Sequence, residues 1–170
     1  MSEPVVERYH AILKQYWGYD SFRPLQLEAI KSVASGEDTL VLMPTGGGKS
    51  IIYQVPTLAS TGICIVITPL IALMKDQVDR LKSRRILAEA IHTGRSHREI
   101  DRILDNCIYG DVKFLYIAPE RIDSEMFRTR CARMNVSLIA VDEAHCISQW
   151  GYDFRPSYLQ IARLRELCPD

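Results

Sequence analysis

The stretch that most constrains this chain is residues 39–50, Thr-Leu-Val-Leu-Met-Pro-Thr-Gly-Gly-Gly-Lys-Ser. Its opening residues, 39–43, are apolar and branched in the manner of a buried parallel strand. Pro44 and the consecutive Gly46, Gly47 and Gly48 cannot continue a strand, because proline lacks a donor and glycine favours a tight loop. Lys49 and Ser50 lead into Ile51, Ile52, Tyr53, Gln54 and Val55, the first turns of a buried helix. Strand, glycine loop and helix start together form an anion cradle. Backbone N–H groups converge, glycines remove the side chains that would block approach, and the helix dipole adds partial positive charge. Lys49 would reach the outer phosphates of a nucleotide and the Ser50 hydroxyl would ligate Mg²⁺. The usual pattern has Gly or Ala where this chain has Met43, but Gly48-Lys49-Ser50 is intact. A surface turn ending by chance in Lys-Ser is the weaker reading. Residues 45–50 are a candidate phosphate-binding loop.

A length of 170 residues suits one domain with one core. Lys plus Arg and Asp plus Glu each total 21, so no global charge steers the chain toward nucleic acid or an anionic membrane. Nucleic-acid contact, if made, has to come from a local surface. The five cysteines form no C-x-x-C pair and no zinc spacing, and read as reduced thiols of a cytoplasmic protein. No apolar run approaches the roughly 18 residues of a membrane span, and the acidic N-terminus has no signal core. No membrane partner is expected.

Taken in order, residues 5–17 place Val6, Tyr9, Ile12, Leu13, Tyr16 and Trp17 at helical spacing, with Gly18 as a stop. Tyr19, Phe22, Arg23, Pro24 and Gln26 follow as a turn and helix start, with Pro24 near the first helical position. Aromatic, guanidinium and amide groups in that order suit an adenine, although a helix cap with packing aromatics is the commoner explanation. Strands are predicted at 63–68, 113–118 and 137–141, with a shorter one at 87–91. Helical spacing appears at 70–81, 96–107, 126–134 and 158–167. In the first of these, Leu70, Leu73, Met74, Val78 and Leu81 are expected to face inward. Continuously apolar strands alternating with amphipathic helices argue for an α/β fold, a parallel sheet covered on both faces. Such sheets bind ligands at the carboxyl ends of their strands. Residues 45–50, Thr68-Pro69, Ala118-Pro119 and Asp142-Glu143 all fall at such ends.

Leu138, Ile139, Ala140 and Val141 run directly into Asp142 and Glu143, the acidic partner that a phosphate loop requires. One carboxylate can hold Mg²⁺ while its neighbour orients and deprotonates water. His145 reads better as a polar relay or packed histidine than as a metal ligand, since no second histidine lies at helical spacing. Trp150 and Phe154 offer stacking faces for bases and Arg155 a phosphate contact. A core plug is an equal reading of the tryptophan.

Five segments together resemble the RecQ family of DNA helicases. They are Phe22-Arg23-Pro24-x-Gln26, the run from Met43 to Ser50, the run from Pro69 to Gln77, Tyr116 to Arg121, and Asp142-Glu143-Ala144-His145 continuing to Gly151. The resemblance covers almost the whole chain, in order and with matching spacing, and Met43 is itself what that family shows. It implies a RecA-like P-loop domain of DEAH-box type, incomplete at its C-terminus. The implied activity is ATP-dependent DNA unwinding in the 3'-5' direction, in recombination and repair. The cofactors implied are ATP and Mg²⁺; the partners are single-stranded DNA and duplex junctions. On this resemblance Gln26 reads adenine, Tyr19 and Arg23 pack on the base, and Thr45, Gly46, Gly47, Gly48, Lys49 and Ser50 hold phosphates. Ser50 and Asp142 take the metal, and Lys49 and Glu143 are catalytic. Pro69, Lys75, Gln77, Arg121, His145, Trp150, Phe154 and Arg155 touch DNA or couple it to hydrolysis. The expected organisation is residues 1–170 as most of a first motor domain. A second motor domain with its arginine finger, and zinc and winged-helix regions, are not in the sequence. Such a piece is expected to self-associate and to be a poor helicase alone. Two other classes stay open on the residues themselves: a small P-loop phosphotransferase, and a non-catalytic nucleotide- or DNA-binding module.

Overall fold

The computed structural model describes residues 3–44, 46–148 and 155–168. Thr45, Gln149, Trp150 and Phe154, each named above, lie outside the described residues. The chain divides into two compact units, residues 1–61 and 62–170.

The first unit is helical. Helix α1 (Glu3–Trp17) presents Tyr9, Ile12 and Leu13, α2 (Gln26–Ala34) presents Ala29 and Ile30, and α3 (Lys49–Ala59) presents Ile51, Ile52 and Val55 to one shared core. Gly18 ends the α1 region as expected, in the left-handed conformation at φ 76°. Pro24 falls two residues before α2 rather than in its first turn; the intervening Leu25 is left-handed, at φ 69°.

The strand predicted at 39–43 is not formed. Val41 and Met43 pack against the helical core, but Leu40 and Leu42 are 78% and 84% exposed. The alternation is that of an extended chain with one covered face. A strand exists by its ladder, and among the described residues this segment has no ladder partner. Apolar composition alone could not supply one.

The second unit carries the sheet. Strands β1 (Ile63–Ile67), β2 (Ala88–Ile91), β3 (Phe114–Ile117) and β4 (Val136–Val141) lie in the order β2-β3-β1-β4, every pairing parallel. Helices α4 (Ile71–Ser83), α5 (His97–Tyr109), α6 (Glu125–Cys131) and α7 (Ala162–Leu167) connect and cover it. One face sends Ile63, Ile65, Ile67, Leu115 and Ile117 into a core with Ile100, Ile103 and Leu104 of α5, Phe127 of α6 and Leu164 of α7. Alternate residues point the other way, where α4 packs on β2 and β3 with Met74, Val78 and Leu81 buried. This is the expected α/β architecture with helices on both faces of a parallel sheet. Leu70, expected to face inward, is the N-cap of α4 and half exposed, because the helix starts one residue later. The helix predicted at 158–167 divides into a 3₁₀ turn (Pro156–Gln160) and α7. Among the described residues strand β4 pairs with β1 alone, and none of its residues is fully buried, which is how an edge strand differs from the fully buried β1.

Candidate functional site

In the first unit the glycine loop is held by two of the three side chains that the family resemblance assigns to adenine. The Arg23 guanidinium donates to the Gly46 carbonyl at 2.8 Å, and the Gln26 amide nitrogen donates to the Gly48 carbonyl at 3.0 Å. Gln26 is 2% exposed, and its amide oxygen accepts from the Arg23 backbone N–H at 2.8 Å. Gln26 therefore fixes where the loop ends and the helix begins. Tyr19, by contrast, is half exposed.

Gly46 and Gly48 sit at φ 78° and 83°, backbone that residues with a Cβ rarely adopt. At Gly48 a Cβ would also come within 2.4 Å of the Gln26 amide nitrogen. Gly47 closes a turn onto the Pro44 carbonyl at 3.0 Å. The loop then delivers Lys49 and Ser50 to the first turn of α3, which has neither a side-chain cap nor an acidic residue in that turn. Helix α5 shows the contrast, since Ser96 and Glu99 close a full capping box there. An uncapped helix start without local negative charge keeps the polarity that favours an anion.

The second unit gathers its chemistry on the carboxyl rim of the sheet. Because every strand is parallel, Thr68-Pro69 after β1, Ala118-Pro119 after β3 and Asp142-Glu143 after β4 share one edge. Asp142 extends the ladder, its N–H donating to the Ile67 carbonyl at 2.9 Å, and its carboxylate accepts the Glu143 N–H at 3.0 Å. Glu143 occupies the left-handed region at φ 53°, a strained setting for a residue with a Cβ. Its carboxylate lies 3.3 Å from Nδ1 of His145, an exposed ring. Among the described residues no group of three or more metal-binding His, Cys, Asp or Glu side chains is present.

The sequence spacing places Tyr158 only as the start of a helix. It is 1% exposed, and its hydroxyl donates to the Asp142 carbonyl at 3.0 Å. Burial pushes its phenol well above the ordinary tyrosine range, so it stays a neutral donor. The Arg155 N–H donates to the Cys146 carbonyl, and Ser157 donates to Glu120 on the 3₁₀ turn (Pro119–Arg121) after β3. Residues 155–158 are thereby pinned to two strand ends at once. Nothing in the spacing of the sequence signals this long-range pinning.

Of the remaining candidates, Pro69 precedes α4, Lys75 is exposed on it, Gln77 is partly buried, and Arg121 ends its 3₁₀ turn partly buried. Thr68 adds a residue not singled out in the sequence. It is 1% exposed, and its hydroxyl lacks a protein hydrogen-bond partner at the rim.

Residues 23–169 match the DEAD/DEAH box helicase family. The chain belongs to that family. It is 49% identical over 165 residues to the ATP-dependent DNA helicase RecQ of Bacillus subtilis, an alignment covering 96% of this chain and 28% of that protein. It is 44% identical over 160 residues to RecQ of Haemophilus influenzae, covering 94% and 26%. Against mouse ATP-dependent DNA helicase Q5 it is 43% identical over 166 residues, covering 93% and 17%. The chain thus spans about a quarter of the length of the bacterial relatives. The loop, the uncapped helix start and the strand-tip carboxylates described above all fall inside the matched region.

Proposed function

We propose that this chain is the ATP-binding motor domain of a RecQ-type DNA helicase, working by ATP hydrolysis coupled to movement on single-stranded DNA. The observation that carries this reading is the glycine loop fastened by Arg23 and Gln26 and opening into an uncapped helix, within a helicase family match. Phosphate oxygens would take backbone N–H groups of Gly46 and of residues 48–50, Gly47 being engaged with Pro44, and Lys49 adds a charge-assisted contact to the outer phosphates. Ser50 supplies a hydroxyl and Asp142 a carboxylate, the hard oxygen donors that Mg²⁺ prefers. The ion's contribution, when bound with nucleotide, is to neutralise charge on the transferring phosphoryl group. Glu143 is the base that orients the attacking water and takes its proton. Its carboxylate lies beside His145, a neighbour suited to relay changes at the strand tip.

Adenine selection falls to Gln26, and its bond to Gly48 would let base recognition and loop geometry report on each other. Tyr19 and Arg23 serve as the stacking neighbours, and Thr45 as part of the phosphate loop. DNA contact belongs to the rim and the segments after it: Pro69, Lys75, Gln77, Arg121, Trp150, Phe154 and Arg155, with Thr68 as an added hydroxyl donor. Contacts of this type favour backbone and base faces over sequence. No helix among the described residues is long and apolar enough to cross a membrane, and a cytoplasmic setting suits the free cysteines. Residues 1–170 are read as the first of two motor domains, acting at single-stranded DNA and duplex junctions.

The test is nucleotide binding and hydrolysis with and without single-stranded DNA, in ATP and in GTP. Tighter binding of ATP than GTP, lost in Lys49→Ala, supports the reading. Equal affinity for the two nucleotides removes the adenine assignment. Phosphate transfer to an acceptor nucleotide would show a phosphotransferase, and response to neither DNA nor acceptor a bare binding module.

A further inference from the structure

All five cysteines are thiols, and two of them meet. The Sγ atoms of Cys131 and Cys168 lie 3.5 Å apart. Cys131 ends α6 and is 1% exposed, whereas Cys168 caps α7 and is partly open to solvent. Both belong to the core face of the sheet, and both sit in one packed cluster with Cys107. A disulfide needs its sulfurs at about 2.05 Å, so a closure of roughly 1.5 Å separates this pair from a bond.

We propose that Cys131 and Cys168 are an oxidation site, in which a hydroperoxide converts the pair to a disulfide that fastens α7 to α6. Cys168 is the attacking group because it is the sulfur that a solvent oxidant can reach. Its thiolate displaces water from hydrogen peroxide, leaving a sulfenic acid on Cys168. The Cys131 sulfur then attacks the sulfenic sulfur, losing its proton as the hydroxyl leaves as a second water. Two thiols and one peroxide yield one disulfide and two waters, with the peroxide oxygens reduced. The asymmetry of the pair suits this order. The two sulfurs share one contact at 3.5 Å, which lowers the Cys168 thiol from its ordinary range, while that contact and burial raise Cys131. Cys107 is unsuited to the first step, since burial pushes its thiol up to about 12.

The crosslink would close a covalent loop of the chain from residue 131 to residue 168. Within that loop lie β4, the Asp142-Glu143 tip and Tyr158, the group that braces the tip. Pinning α7 therefore restrains the segment that returns to Asp142. In reduced protein the attachments of this segment are noncovalent, and include the Tyr158 and Ser157 hydrogen bonds, the Arg155 N–H to the Cys146 carbonyl, the Arg163–Asp123 ion pair at 2.7 Å, and packing of Leu164.

The experiment treats the folded 170-residue chain with a small excess of hydrogen peroxide, blocks remaining thiols, and analyses it by intact mass and peptide mapping without reductant. The expected product is monomeric and carries three blocking groups where the reduced chain carries five, with one crosslinked peptide pair containing Cys131 and Cys168 whose mass is about 2 Da below the sum of the two thiol peptides. Its thermal midpoint should lie several degrees above that of the reduced chain, because the denatured state is constrained, and reductant should restore the original value. In Cys131→Ser, Cys168 should stop at a sulfenic acid that dimedone traps; in Cys168→Ser, Cys131 should stay unmodified. Cys131→Ala provides the same readout should the serine variant unfold. A crosslink to Cys107, a dimer joined through Cys168, or Cys168 oxidised past sulfenic acid while Cys131 stays reduced overturns the proposal.

Discussion

Gln26 and Tyr158 each place a buried hydrogen bond on backbone next to a candidate catalytic group, and the consequences of removing them differ. Gln26→Ala takes away the donor to Gly48 and the acceptor for the Arg23 N–H. Nucleotide affinity is expected to fall several-fold along with the loss of base preference, measured by titration of ATP and GTP. Retained phosphate affinity with relaxed base choice would mean that the loop holds its shape without Gln26. Gly48→Ala acts on the same contact from the other side, since its Cβ would collide with the Gln26 amide at a positive φ. It should cost about 1–3 kcal/mol in denaturant unfolding and should weaken nucleotide binding. Tyr158→Phe deletes only the hydroxyl that reaches the Asp142 carbonyl. The expected loss is about 1 kcal/mol, the net worth of one partly buried hydrogen bond. An unchanged denaturation midpoint would show that another donor replaces the tyrosine.

At the level of elements, α5 offers a prediction with a defined pH window. Glu99 closes the capping box with Ser96, and hydrogen bonds from the Ser96 backbone and hydroxyl, then Arg95, lower its carboxyl from 4.5 to about 2. A depressed carboxylate stabilises the folded state above its unfolded value, and that stability is lost as pH falls toward the folded one. Stability from this cap should thus be constant above about pH 5 and decline between pH 4.5 and about 2. Glu99→Gln should flatten that part of the curve, as followed by thermal unfolding across the range. The capping box of Ser96 and Glu99 comes from the structure, but the helical period of residues 96–107 was legible in the sequence, as were β1, β2, β3 and β4, since their signals are local. Residues 39–43 were not: their apolar run promised a strand, but pairing is a property of the sheet, and Leu40 and Leu42 stand exposed. The site divides in the same way. Gly46 to Ser50 and Asp142-Glu143 were evident from residue type and spacing, whereas the Tyr158 brace joins residues 16 apart through a 3₁₀ turn. Exposed Leu40 and Leu42 on an extended segment also favour association between copies. Replacing both by lysine should raise the monomer fraction in sedimentation experiments, and an unchanged fraction would place self-association elsewhere.

Across the whole molecule, the question is how much of a motor these 170 residues contain. The two bacterial RecQ relatives are about four times as long as the part aligned here. The groups argued to bind nucleotide and activate water are all in this chain: residues 46–50, Gln26, Asp142 and Glu143. What the RecQ resemblance assigns to a second motor domain is the arginine that stabilises charge on the transferring phosphoryl group. In P-loop enzymes that contribution amounts to factors of about 10³–10⁵ in turnover. Binding and turnover should therefore separate in the 170-residue chain. It should bind Mg²⁺-ATP with a preference over GTP, yet hydrolyse it well below roughly one per second and leave duplex DNA unopened. Single-stranded DNA should bind weakly, with affinity falling as salt is raised, because the contacts proposed are to phosphate and base faces. The measurements are equilibrium titration, steady-state phosphate release and strand separation on one monomeric preparation. DNA-stimulated hydrolysis at one per second or faster in that preparation would locate the whole catalytic apparatus within these residues, and the arginine would then be dispensable to the chemistry.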